Sequence, residues 1–79
     1  MVEATEITTA IKQALPDAEI TIEDLNGTGD HLKLNVISNA FAGLSLIRQH
    51  QLVYGALKNE LASEAIHALA LNTSIPIQN

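Results

Sequence analysis

Three histidines are the side chains here that could do chemistry, and His67 carries the question of whether that chemistry is metal ligation. It stands in Ile66-His67-Ala68-Leu69-Ala70-Leu71, an otherwise apolar run. An imidazole in such a run is either a buried polar group with a hydrogen-bond partner or an exposed ligand. Strict alternation sets His67 on the face of Leu69 and Leu71, which favours burial. Alternation is weakest where a strand begins, however, and the residues alone leave both readings standing. His31 sits where the polar loop Asn26-Gly27-Thr28-Gly29-Asp30 meets a strand, and reads as a solvent-exposed strand residue. His50 lies in a helical stripe between Leu46 and Tyr54, and is expected at the core edge with a hydrogen-bond partner.

Catalysis finds no such foothold. An enzyme needs a positioned acid, base or nucleophile. Glu19, Glu23 and Lys33 alternate with apolar residues and read as the solvated face of a hairpin. Gly27-Thr28-Gly29 lacks the lysine and the following helix of a phosphate loop. No nucleophile elbow and no closely spaced histidine pair is present, so no enzyme is expected.

Composition narrows the classes further. Zero cysteines exclude a disulfide framework and any site built from this chain's own thiolates. The 79 residues are 47% hydrophobic, enough for one small core, expected as a single domain over 1–79. Aromatics are limited to Phe41 and Tyr54, so that core must be aliphatic. Net charge is −5, and the four basic residues, Lys12, Lys33, Arg48 and Lys58, are scattered. Nucleic-acid binding draws its affinity from basic side chains on phosphates, so tight autonomous binding is not expected. The start, Met1-Val2-Glu3-Ala4-Thr5-Glu6, is acidic. No apolar run approaches the roughly 20 residues of a membrane span. The expectation is a soluble, cytoplasmic chain with no membrane partner.

The elements that must position the histidines follow from periodicity. Ile7, Ala10, Ile11, Ala14 and Leu15 recur at three- and four-residue spacing, predicting a helix over 3–15 that Pro16 stops. Ala18, Ile20 and Ile22 alternate with Glu19, Thr21 and Glu23, predicting a strand over 18–23. Leu32, Leu34 and Val36 alternate with Lys33 and Asn35 over 31–38, with His31 on the Lys33 face. Asn26-Gly27 between them is a turn signal, and the two strands make a hairpin. Phe41 anchors the connector 38–43. A second helix is predicted over about 44–61, capped by Ser45, with Leu46, Ile47, His50, Val53, Tyr54, Leu57 and Leu61 as one stripe. A third strand is predicted over 66–73, before Pro76. Two amphipathic helices against one three-stranded sheet give a two-layer α+β sandwich.

Taken together, Phe41-Ala42-Gly43-Leu44-Ser45, Arg48-Gln49-His50-Gln51-Leu52-Val53-Tyr54, Ile66-His67-Ala68-Leu69-Ala70-Leu71 and the loop ending Gly29-Asp30-His31 resemble the BolA family. The resemblance runs from the first helix to Thr73. It implies a class II KH-like αββααβ fold, with a short third helix near Ala62 to Ala65. It also implies a non-enzymatic regulator of iron–sulfur homeostasis or stress response that pairs with a monothiol glutaredoxin carrying Cys-Gly-Phe-Ser. The pair shares a bridging [2Fe–2S] cluster. Glutaredoxin and glutathione supply thiolates, and this chain supplies His67.

The sequence departs from the family pattern at the second ligand, a Cys or His that many members carry inside the hairpin loop. Thr28 stands at about that place, and threonine is a poor iron ligand. His31 is the nearby candidate; a different fourth ligand, or docking that is mostly protein–protein, are the alternatives. The tail also lacks the usual Trp beyond the last strand. Arg48, His67 and Thr28 form the expected partner surface, with Arg48 contacting an acidic partner group or glutathione carboxylate, or making an ordinary surface salt bridge. Alone, the chain is expected as a monomer or weak homodimer. The runner-up is a DNA-binding transcriptional regulator, but Gly43 has no partner glycine three residues away to form a KH-type clamp.

Overall fold

In a computed structural model, residues 3–25, 27, 31–63, 66 and 68–77 are described. Helix α1 spans Ala4–Ala14 and buries Ile7 and Ile11, which lie one turn apart on its inner face. Strands β1 (Glu19–Asp24) and β2 (His31–Ile37) pair antiparallel, with Ile20 opposite Val36 and Ile22 opposite Leu34. Beyond β1, the Leu25 N–H donates to the His31 carbonyl at 2.8 Å. Gly27 adopts φ 77°, and its N–H donates to Asp24 Oδ1 at 2.9 Å. Asn26, the other half of the turn signal, lies outside the described residues.

Strand β3 (Ala68–Ser74) pairs parallel with β2, giving the order β1-β2-β3. A parallel pair requires a crossover, and the helices after β2 supply it. Leu32, Leu34 and Val36 are buried toward those helices, while His31, Lys33 and Asn35 take the other face. The result is the expected two-layer α+β architecture, with helices on one side of the sheet. The core is aliphatic apart from Phe41.

The helix predicted over 44–61 is two helices. Its first part, α2, spans Leu46–Ala56, and α3 spans Lys58–Ala62. The break falls at buried Leu57, whose φ −101° and ψ 18° leave the helical range. The third helix therefore comes earlier than the expected 62–65. The stripe also needs correction. Val53 and Leu57 are buried, but Leu46 and Ile47 are 61% and 71% exposed. Beside them the contact to the sheet is polar: Gln49 Oε1 accepts from Thr73 Oγ1 at 2.7 Å, while Gln49 Nε2 donates to the Leu44 carbonyl of the connector at 3.0 Å. Ile66 was expected to open β3. It is buried instead before the strand, its N–H donating to the Glu60 carbonyl at 3.3 Å.

The connector from β2 to α2 is pinned at two points. Its 3-10 turn, Asn39–Phe41, buries Phe41. Gly43 follows at φ 78°, a left-handed conformation that costs an L-residue about 1–2 kcal/mol. No atom crowds the position, so backbone conformation alone sets the effect of substitution. Gly43→Ala is expected to lower stability by about 1 kcal/mol, read as a thermal midpoint about 4–8 °C lower by circular dichroism.

The second pin joins Asp17, after Pro16, to fully buried Ser38. Ser38 Oγ–H donates to Asp17 Oδ1 at 2.6 Å, and the Asn39 N–H donates to Oδ2 at 2.7 Å. Ser38 Oγ in turn accepts from the Ala40 N–H at 3.1 Å. The Ser38 hydroxyl first, and the Asn39 N–H second, hold the Asp17 carboxyl below its ordinary 3.8. A carboxyl depressed on folding adds stability above its unfolded pKa and loses it as pH falls through the folded one. Asp17→Asn is therefore expected to lower the thermal midpoint at about pH 7 and to flatten its fall toward about pH 3. Parallel pH profiles for the two proteins would reject the pin.

Candidate functional site

One end of the sheet holds His31 and the start of β3. His31 begins β2, half-buried on the Lys33 face, because Leu32, Leu34 and Val36 take the core side. The parallel register places His31 opposite Ala68 and Lys33 opposite Ala70. Ala68 is the residue directly after His67. Neighbouring strands run about 4.8 Å apart, so the starts of β2 and β3 lie side by side. At the same end, the bond from the Leu25 N–H to the His31 carbonyl extends the β1–β2 pairing. His67 and Thr28 themselves lie outside the described residues.

Arg48 is placed elsewhere. It is exposed on the first turn of α2, where its backbone N–H donates to the capping Ser45 Oγ at 3.2 Å. With Leu44, Gln51 and Leu52 it lines a hollow of about 220 Å³. Its neighbour Gln49 binds Thr73, near the far end of β3 from Ala68. Five strand residues separate those levels by about 16 Å. The structure brings His31 beside the start of β3 but does not bring Arg48 to it.

The expected hydrogen-bond partner of His50 is not found. His50 Nε2 is sealed from solvent without a partner among the described residues. Its ring instead meets Tyr54 edge to face, with centroids 6.1 Å apart and planes at 85°. Glu60, which the sequence reading passed over, is 9% exposed. The signal was available: Val53, Leu57 and Glu60 recur at helical spacing, so Glu60 shares the inward face.

The BolA-like protein family profile matches residues 6–78, and the chain belongs to that family. The uncharacterized protein RP812 of Rickettsia prowazekii is 40% identical over 76 residues, covering 95% of this chain and 97% of that protein. BolA1 from Arabidopsis thaliana superposes with a TM-score of 0.83 at 27% identity, over 99% of both chains. The BolA domain of SufE1 from Arabidopsis thaliana gives 0.79 at 30% identity, over 96% of both chains. The chain spans only 46%, 38% and 22% of three longer curated relatives.

Proposed function

We propose that this chain is a non-enzymatic adaptor that docks a monothiol glutaredoxin and co-ligates a bridging [2Fe–2S] cluster. The observation that carries the reading is the register of His31 with Ala68, which seats both strand starts, and the residue after His67, at one end of the sheet. Family membership supports it. The donor set fits the group. Imidazole is a competent iron ligand, and a chain with zero cysteines leaves the thiolates to the partner and its glutathione. Bound there, the cluster would gain a raised reduction potential and a ligand that protons compete for. This chain's own part is to hold imidazole at a strand start.

Titration of the protein into a cluster-loaded Cys-Gly-Phe-Ser glutaredoxin tests the reading by visible absorption and circular dichroism. A new spectrum saturating at a fixed ratio is expected. An unchanged spectrum, with retention on DNA that falls steeply with salt, would replace it with the nucleic-acid reading.

A further inference from the structure

Among the described residues, Glu60 is the one charged side chain in the buried class. Its backbone carbonyl accepts from Ser63 and Ile66, but its carboxylate has no hydrogen bond or ion pair among the described residues. The carboxylate oxygens are not sealed in, since His50 Nε2 is the one described side-chain atom that is both enclosed and unpartnered. The space beside Glu60 is a groove of about 510 Å³ between α1 and α3. Glu3 and Glu6 line its other wall, and no basic residue lines it. Thr5, Thr9 and Gln13, also lining it, repeat every fourth residue along α1. They form a row of hydroxyl and amide oxygens about 12 Å long.

We propose that this groove binds a linear alkylammonium ligand carrying two or more ammonium groups, with Glu60 as its buried anchor. A single metal ion does not fit: no three His, Cys, Asp or Glu side chains among the described residues could hold one. Carboxylates set apart on opposite walls call for charges set apart on one chain. Each primary ammonium also brings three donors, which the Thr5–Thr9–Gln13 row and the carboxylates can accept. The site is independent of the glutaredoxin reading.

Spermidine is the probe, titrated into the full chain and followed by amide chemical shifts at constant ionic strength. Saturable shifts confined to Thr5–Gln13 and Ala56–Glu60 are expected, with affinity about tenfold or more weaker in Glu60→Gln, or about 1.4 kcal/mol. Thr9→Leu, an exposed change that fills the groove without altering charge, is expected to weaken binding as well. It decides the matter if Glu60→Gln does not fold. The same shifts with magnesium chloride, diffuse shifts reaching Glu19 and Glu23, or undiminished binding in the folded variants would overturn the proposal.

Discussion

His67→Ala is expected to abolish the spectrum proposed for the parent with a cluster-loaded monothiol glutaredoxin, and to leave far-ultraviolet circular dichroism and the thermal midpoint near those of the parent. The reason is the division of donors. The chain has zero cysteines, so no neighbouring thiolate of its own can take over the vacated position. Loss of partners that merely orient a metal ligand costs about 10–100-fold in affinity, and loss of the ligand itself costs more. Binding of the mixed cluster is expected to fall more than about 100-fold. Protein–protein docking without the cluster is expected to persist in part, because Arg48 and Thr28 of the expected partner surface are unchanged. His31→Ala then tests the second ligand. An effect of similar size would assign His31 to the cluster, and a small one would leave that position to the partner. Should His67→Ala unfold while the parent is stable, His67 is a structural residue and the ligation reading fails.

Why the sheet end was legible and the groove was not comes down to period and range. The hairpin could be read because Leu32, Leu34 and Val36 must share a face, which puts His31 with Lys33 on the other. The parallel pairing of β3 was not read, since register between distant strands depends on the crossover and not on either strand's pattern. The break at Leu57 was invisible for a related reason. Neither proline nor glycine stands there, and the turn is set by Leu57 and Ile66 entering the same core. The exposed Leu46 and Ile47 follow periodicity but not burial, because a stripe states which face turns inward and not how far the sheet extends beneath it. Glu60 escaped by its charge: a glutamate invites a surface reading even when its spacing matches Val53 and Leu57. Asp17 and Ser38 are 21 residues apart, and only the folded chain brings them together.

Phe41→Ala is expected to be the most damaging single truncation in the core. Phe41 is 1% exposed and first by volume among the fully buried side chains. Emptying such a site costs about 3–5 kcal/mol, part transfer and part cavity. The total stability of a 79-residue chain is about 4–12 kcal/mol, so the variant loses between about a quarter of its margin and all of it. Position adds to volume here. Phe41 closes the 3-10 turn that follows the Ser38 pin, and its carbonyl accepts from the Leu44 N–H at 3.1 Å on the way to α2. Loosening it frees the connector that carries the chain from β2 into the crossover, and with it the parallel pairing that sets β3 beside His31. Urea unfolding followed by circular dichroism measures the loss. Phe41→Leu keeps most of the volume and is expected to cost less than about 1.5 kcal/mol. A loss below about 1 kcal/mol for Phe41→Ala would show that the connector is held without its anchor. A loss in the expected range predicts weakened glutaredoxin binding that tracks the folded fraction, whereas His67→Ala is expected to lose the cluster while the chain remains folded.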